Sequence, residues 1–250
     1  MIGFAPLSRS RKACIIALAL ALPASWASIS HAALTVGATR VVFDSNKRST
    51  SVTINNPSNR PFAVQTWVNT AADDNTTAVP FIPSPPLFRL DPGKEQQVQI
   101  NGLPTTLPGD RESLFYFNVQ EIPQASTDEG NVLSIALRTR LKLFYRPHQL
   151  TDNPMSRLTE LQWSITRTNG MAQLVVHNPT PFHVSFIRLE LAGTGQAAPV
   201  KNAHMVAPFD SQAYAIDMAQ AAAAKRVVFA AINDYGGYSE PLTVALPPSP

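Results

Sequence analysis

The side chains that most often carry out chemistry are few in this sequence and are poorly spaced for it. Four histidines follow residue 32, namely His148, His177, His183 and His204, and none lies at a metal-ligand spacing from another. The single cysteine is Cys14, and neither a Gly-x-Ser-x-Gly nucleophile turn nor a glycine-rich phosphate loop occurs. The sequence therefore predicts no metal ion and no cofactor.

Carboxylate pairs are the remaining source of catalytic chemistry. Two pairs of adjacent acids occur, Asp73 with Asp74 and Asp128 with Glu129, and both lie among turn-forming residues. We interpret them as solvated loop charges rather than as the acid and base of a glycosidase. The sequence predicts no catalytic residues and no enzymatic activity, and a carbohydrate-active enzyme is kept only as a third hypothesis.

The first 32 residues have the pattern of a secretory leader. Basic residues at Arg9, Arg11 and Lys12 precede the apolar segment 14–27, and small residues lead up to Ala32. Proline and serine interrupt the apolar segment before the roughly 20 residues that a membrane helix needs. We therefore predict an exported protein whose signal peptide, residues 1–32, is cleaved after Ala32, with no membrane insertion.

Cleavage changes the charge balance of the chain. It would leave 218 of the 250 residues and remove three of the 20 basic residues but none of the 17 acidic ones. The resulting balance gives no electrostatic support for a nucleic-acid partner. Because no cysteine remains, core burial alone must hold together one large domain or two of about 100 residues each.

The rest of the chain has the pattern of an all-β protein. Short runs rich in Val, Ile, Phe and Thr alternate with turn residues, whereas only residues 219–225 suggest a helical turn. This pattern predicts β-sandwiches of the immunoglobulin type. The predicted strands are 39–44, 49–55, 61–69, 95–100, 113–122, 133–147, 161–168, 172–178, 181–191, 214–218 and 225–234.

A weak internal repeat indicates two domains. Residues 52–68 align with 174–189 as strand, Asn-Pro-Ser/Thr turn, Pro-Phe-x-Val and strand. The polar, proline-containing segment 146–154 between them is a plausible hinge. We predict an N-terminal domain over 33–150 and a C-terminal domain over 151–250.

The predicted strand 133–147 is too long for one core. Its apolar face would run about 40 Å at 3.3 Å per residue, whereas strands usually have about five or six residues. Leu141 and Leu143 can pack inside the first domain. The beginning of the apolar face would then contact either another protein or the same core. The apolar residues of that beginning are Leu133, Ile135 and Leu137.

Several segments resemble the periplasmic pilus (fimbrial) assembly chaperones. PFIPSPPLFRLDPGKEQQVQI at 80–100 is similar to the signature of that family, and so are 39–68, 107–123, 135–147 and 232–242, in the family's order. The resemblance implies two immunoglobulin-like β-sandwich domains in a boomerang arrangement. It also implies a periplasmic chaperone that caps pilus subunits with an edge strand and delivers them to an outer-membrane usher.

The resemblance also implies roles for individual residues. Leu133, Ile135 and Leu137 would enter the groove of the subunit, and Arg40 with Lys142 would bind its C-terminal carboxylate. Taken singly, each of these two cations has the sequence context of an ordinary solvated charge. A carboxylate between an arginine and a lysine is nevertheless a sound pairing, because arginine binds it in a bidentate way.

Three further charged residues match the family at the junction of its domains. Glu112, Arg146 and Asp234 would form an interdomain network that fixes the angle between the domains. The short loop 124–130 indicates the short-loop branch of the family, which serves rod-like adhesive pili.

An alternative function remains open at this point. An immunoglobulin-like surface or adhesive module without a subunit partner would have the same sandwiches but an edge strand covered by its own chain. Self-association through the exposed strand is a further expectation.

Overall fold

The computed structural model describes residues 34–74, 76–123, 136–168, 170–193 and 197–247. The predicted leader, the loop 124–130 and the predicted groove-binding residues Leu133 and Ile135 lie outside the described residues. Every absence reported below refers to the described residues alone.

Within the described residues, nine strands form the first β-sandwich. One sheet has the strand order β1-β3-β7-β5 and the other has the order β2-β9-β8-β4-β6. The strands are β1 (Thr35–Val36), β2 (Arg40–Asp44), β3 (Ser49–Asn55), β4 (Phe62–Asn69), β5 (Phe81–Ser84), β6 (Leu87–Leu90), β7 (Glu95–Gly102), β8 (Ser113–Pro123) and β9 (Arg138–Arg146). Apolar side chains that alternate along these strands meet in one core, which includes the fully buried Ile54, Val98, Phe117 and Leu143.

The second β-sandwich begins after a 3₁₀ helix at Pro154–Glu160. Its sheets have the strand orders β10-β11-β14 and β13-β12-β15-β16. The strands are β10 (Gln162–Thr168), β11 (Met171–His177), β12 (Phe186–Ala192), β13 (Ala198–Pro199), β14 (Ser211–Ile216), β15 (Arg226–Ala231) and β16 (Leu242–Ala245), with one short helix, α1 (Met218–Ala223), before β15. A separate core contains Leu174, Val176 and Phe229.

The predicted all-β fold with two sandwich domains is confirmed. The largest departure lies in the proline-rich segment 80–90, which is not among the predicted strands and which contains β5 and β6. Both strands lie at the edge of their sheets. An edge strand tolerates Pro83 because the missing N–H would otherwise face solvent rather than a neighbouring strand.

The predicted strand 133–147 is shorter in the structure. Strand β9 begins at Arg138, and Leu137 lies just before it. On one side, β9 pairs antiparallel with β8 from Arg138 to Tyr145. On its other side, β2 pairs with it in parallel only from Lys142 onward. Among the described residues, no strand is in register with residues 138–141 on that second side.

The internal repeat seen in the sequence has a shared structural basis. Asn56 Nδ2 donates to the carbonyls of Arg60 and Leu90, and its Oδ1 accepts from Ser58 Oγ at 2.6 Å. In the second domain, Asn178 Nδ2 donates to the carbonyls of Phe182 and Ala207, and its Oδ1 accepts from Thr180 Oγ1 at 2.7 Å. Each buried asparagine therefore satisfies the backbone of one tight turn between two strands.

Candidate functional site

Strands β2 and β9 place Arg40 and Lys142 side by side. The two residues are direct register partners at the point where the parallel pairing of these strands begins. Arg40 Nη1 donates to the carbonyl of Ile232 at 3.0 Å, and Lys142 Nζ donates to Ser185 Oγ at 3.0 Å. Because Ile232 and Ser185 belong to the second domain, both cations lie in the cleft between the two sandwiches.

An open pocket surrounds these two cations. It has a volume of about 280 Å³ and receives a third cation, Arg140, from the same face of β9. Arg140 is held by the carbonyl of Thr70 at 2.7 Å and stacks over the ring of Tyr116. The residues that line the pocket are Thr39, Arg40, Arg140, Lys142, Ile187, Ile232, Gly236 and Tyr238.

The two central cations lack an anionic partner. In the part of the chain that the structure describes, no carboxylate lies within 4.0 Å of the Arg40 or Lys142 side chain. Arg40 Nε is buried and has no hydrogen-bond acceptor within the described ranges. A buried donor without an acceptor is costly, so this position is suited to an anionic ligand.

The pKa values of both cations reflect this environment. Burial and, to a smaller extent, the neighbouring charge of Arg40 together lower the pKa of Lys142 to about 8. Burial also lowers the pKa of Arg40, while the charges of Asp234 and Glu112 oppose that effect. A carboxylate that entered the pocket would stabilise the charged forms of both side chains.

The structure brings together Glu112, Arg146 and Asp234. Of these, Arg146 lies on β9, four residues after Lys142. Arg146 Nη1 and Nη2 donate to the two carboxylate oxygens of Asp234 at 2.6 and 2.9 Å, and Nε donates to Glu112 Oε1 at 2.8 Å. Burial works to lower the pKa of Arg146, but its hydrogen bond with Asp234 and the charges of Glu112 and Asp234 raise it overall. Asp234 belongs to the second domain, so these contacts join the two sandwiches.

His183 completes this network and was not singled out from the sequence. Its backbone N–H donates to Glu112 Oε2 at 2.8 Å, and its Nδ1 lies 3.1 Å from the same oxygen. Its ring packs on Phe144 with a centroid distance of 5.3 Å. The sequence contained one signal for His183. This residue lies in the second copy of the repeat, beside the Asn178 turn, and that turn follows the predicted hinge in the chain.

The beginning of β9 differs in its surroundings from its end. Leu141 and Leu143 are buried in the first core, as the alternation predicted. Leu137 is 49% exposed, and it lies beyond the last register partner of β2. Of the three predicted groove-binding residues, Leu137 is the one that the structure describes, and its side chain is available to another protein.

Neither a candidate metal cluster nor a helix of membrane-spanning character occurs along the described ranges. No group of three or more histidine, cysteine, aspartate or glutamate residues there is arranged to hold a metal ion. No helix there is long and apolar enough to cross a membrane.

The comparisons with known proteins agree with this geometry. A family model for the N-terminal domain of the pili and flagellar-assembly chaperones matches residues 33–151, and a model for the C-terminal domain of the pili assembly chaperones matches residues 157–242. The chain belongs to the pilus assembly chaperone family. The resemblance in the sequence is thus confirmed, and as a member of this family the chaperone is a periplasmic protein and not an enzyme.

Individual relatives cover most of the chaperone. The chaperone protein FimB/FhaD of Bordetella pertussis is 39% identical over 91% of this chain and 94% of its own. The probable fimbrial chaperone YadV of Escherichia coli is 38% identical over 86% of this chain and 91% of its own.

Solved structures extend the comparison to the fold. The YadV chaperone structure has a TM-score of 0.71 and 35% identity, and it covers 84% of this chain and 99% of that chain. The SafB chaperone of Salmonella enterica, solved in complex with the SafA pilin, matches with a TM-score of 0.75 and 26% identity over 88% of this chain and 99% of that chain.

Proposed function

We propose that this chaperone captures pilus subunits in the periplasm by adding the open edge of β9 to the subunit's incomplete sheet, and passes them to an outer-membrane usher. Arg40 and Lys142 bind the C-terminal carboxylate of the subunit. Leu137, together with Leu133 and Ile135, supplies apolar side chains to the subunit's groove. Glu112, Arg146 and Asp234 keep the two domains, which we place at 33–150 and 151–250 behind the leader 1–32, at the angle that the cleft requires.

The observation that carries this proposal is the register of Arg40 with Lys142 at the end of an unpaired strand edge. The open edge at 138–141 offers main-chain donors and acceptors to one more strand. A pair of cations that has no carboxylate partner in the described part of the chain lies where that strand would stop. An edge strand that ends at two cations suits a chain end with its own negative charge.

The same register fixes the direction of the added strand. Strand β9 runs from Arg138 toward Lys142, so a segment whose C-terminus lies at Lys142 must run in the same direction. The added strand is therefore parallel to β9 and lies in line with β2. Anchoring one chain end also determines which subunit side chain lies beside Leu137. A slip of one residue would turn every side chain of the added strand to the opposite face of the sheet.

The energetics divide between the anchor and the apolar strand. Burial of one leucine or isoleucine side chain is worth about 1.5–3 kcal/mol, so three would contribute roughly 5–9 kcal/mol before ordering costs. The carboxylate contact adds charge-assisted hydrogen bonds to two cations that already lie in place. The anchor therefore sets register, and the apolar side chains supply most of the affinity.

The test is co-expression with a subunit encoded beside the chaperone gene and recovery of the complex from the periplasm. Arg40→Ala and Lys142→Ala should each reduce recovery at least tenfold while thermal unfolding of the free chaperone remains cooperative. Lys94→Ala is the matched control, because Lys94 is an exposed cation of the same domain. Undiminished recovery with both cleft variants would refute the anchor.

A second pair of variants tests the strand. Leu137→Asp should weaken capture because it places a charge in an apolar groove. Ile82→Asp is its control, since Ile82 is 51% exposed on β5, away from the open edge. If Leu137→Asp instead lowers the thermal stability of the free chaperone, this leucine belongs to the first core and the donated-strand proposal fails there.

A further inference from the structure

The cleft pocket has an apolar wall opposite its cations. Ile187 and Tyr238 line it from the second domain, and they are 49% and 66% exposed. Single exposed apolar residues are ordinary on protein surfaces. Two that line the same pocket as Arg40 and Lys142 form a combined environment of positive charge and apolar surface.

A bulge in β12 turns Ile187 into this wall. Strand β12 is paired with β15 at Phe186 and at Arg188, and the register shifts between them, so Ile187 has no partner across the ladder. Phe186 and Leu189 face the core, whereas Ile187 and Arg188 are both exposed. A regular strand would alternate, so the extra residue is what directs the isoleucine side chain toward the cleft.

A short ordered loop holds Tyr238 in place. Tyr238 forms a β-bridge with Ile232, and Asn233 Oδ1 accepts from the backbone N–H groups of Tyr235 and Gly237 at 3.0 and 2.9 Å. Gly236 has φ of +85°, and a Cβ atom there would lie 2.3 Å from Thr39 Oγ1. The loop therefore packs directly on the first domain beside Arg40, where Gly236 and Thr39 both line the pocket.

We propose that Ile187 and Tyr238 bind the side chain of the subunit's last residue and select an apolar or aromatic residue at that position. This inference rests on the proposed function, because it requires the terminal carboxylate to lie at Arg40 and Lys142. The carboxylate and the last side chain are attached to the same Cα atom. A carboxylate held by the two cations therefore places that side chain in the same pocket.

The size and charge of the pocket support one apolar residue. Its volume of about 280 Å³ is just below the usual range of ligand pockets, about 300 to 1,000 Å³, so it suits one residue and not a longer segment. An acidic last residue could compete for Arg140, whose buried Nε has no acceptor among the described residues. The rest of that guanidinium already contacts the Thr70 carbonyl and Tyr116 and lies 3.9 Å from Asp73 Oδ1, so its charge is partly balanced. The free surface beside the carboxylate position is that of Ile187 and Tyr238.

The experiment measures the binding of labelled peptides to the purified chaperone by fluorescence anisotropy. The peptides share a body of alternating serine and valine and differ in the last residue, which is Phe, Leu, Ala or Asp. The Phe and Leu peptides should bind about tenfold more tightly than the Ala peptide, as expected for partial burial of one apolar side chain. Equal affinities for all four, or tightest binding of the Asp peptide, would overturn the inference.

Two variants with matched controls locate the effect. Tyr238→Ala and Ile187→Ala should each reduce the preference of Phe over Ala about threefold or more, since each removes part of the apolar wall. Tyr235→Ala is the control for the tyrosine, because Tyr235 is 97% exposed in the same loop and does not line the pocket. Ile82→Ala is the control for the isoleucine. An unchanged preference in both wall variants counts against the inference.

An amidated Phe peptide separates this inference from the proposed function. If the anchor is correct, amidation weakens binding in the wild-type protein whatever the last side chain is. Loss of binding on amidation without any preference for the last residue would reject the apolar wall and retain the anchor. Binding that is indifferent to amidation would reject the anchor itself.

Discussion

Two cationic positions on β9 differ in how their charge is balanced. Lys142 and Arg146 lie on the same face of the strand, separated by roughly 13 Å at 3.3 Å per residue. Arg146 contacts two carboxylates, and one of them, Glu112, also accepts from His183. Lys142 and its neighbour Arg40 have only neutral hydrogen-bond partners among the described residues.

The difference separates a structural charge from a binding charge. A buried cation with its own carboxylates satisfies its hydrogen bonds within the folded chain, so it joins the elements that supply them. A half-buried cation without a carboxylate raises the energy of the free protein and gains most when a ligand brings the anion. The first kind lies at the domain junction, and under the proposed function the second kind lies where the subunit's chain end arrives.

The largest expected effect is the loss of the paired arginine. Arg146→Met should lower the free energy of unfolding by about 3–5 kcal/mol, because it leaves the buried Glu112 without its cation. Urea denaturation of the free chaperone measures this. Arg89→Met, at an exposed ion pair with Asp91, is the control and should change stability by less than about 0.5 kcal/mol. Equal effects in the two variants would contradict a structural role for Arg146.

The next largest effect concerns the pH dependence of binding. The pKa of Lys142 is about 8 in the free chaperone, and a bound carboxylate raises it. Because the bound state has the higher pKa, the contribution of Lys142 is complete below about pH 8. It is lost as the pH rises through the pKa of the complex, by up to about tenfold in affinity per pH unit.

Peptide binding measured between pH 6 and 10 tests this expectation. Lys142→Arg supplies the control, because a guanidinium stays protonated throughout that range and its profile should be flat. A wild-type profile as flat as that of Lys142→Arg would show that Lys142 does not bind the carboxylate.

A smaller effect of opposite sign is expected for the stability of the free protein. Lys142→Met should raise the free energy of unfolding by about 1 kcal/mol at neutral pH, a modest value because the side chain is only half-buried. Burial lowers the pKa of Lys142 from its ordinary value of 10.5 to about 8. The gain in unfolding free energy from Lys142→Met should therefore be present below pH 8 and disappear as the pH approaches 10.5. Destabilisation at neutral pH would mean that the charge of Lys142 is balanced within the protein.

The smallest effect is expected at the hydroxyl that holds Lys142. Ser185→Ala removes the acceptor of the Lys142 Nζ hydrogen bond and should weaken peptide binding only about twofold, near 0.5 kcal/mol. The midpoint of the pH profile should move to lower pH, because the charged amine loses one acceptor. A tenfold loss would assign Ser185 a direct contact with the ligand.

Much of the fold was predictable because the alternation of apolar and polar residues along a strand reflects one dominant force, the burial of apolar side chains. Runs such as 49–55 and 113–122 have apolar side chains every second residue, and they form β3 and β8 with bounds close to those expected. Leu141 and Leu143 were assigned to the first core on the same basis, and both are buried there. The edge strands β5 and β6 escaped prediction, since each has only four residues and β5 contains a proline.

The candidate site was less accessible to this reasoning. Phe144 lies on the basic face of β9 by alternation, yet it is buried because His183 of the second domain covers it. Periodicity reveals which side chains share a face but not what packs against that face. Ser185, Ile187 and Tyr238 were missed for the same reason, because they approach Lys142 from a domain that lies more than 40 residues away in sequence.

The position at which β2 begins has a consequence for the cell. The path of an added strand along β9 is blocked at Arg40 by the chaperone's own backbone, so only a polypeptide that stops there can enter fully. A subunit whose translation ended early would leave the cations empty, and one extended by read-through or by an affinity tag would collide with Thr39. Under the proposed function, the chaperone thus inspects each newly exported subunit for a correctly finished C-terminus before assembly uses it.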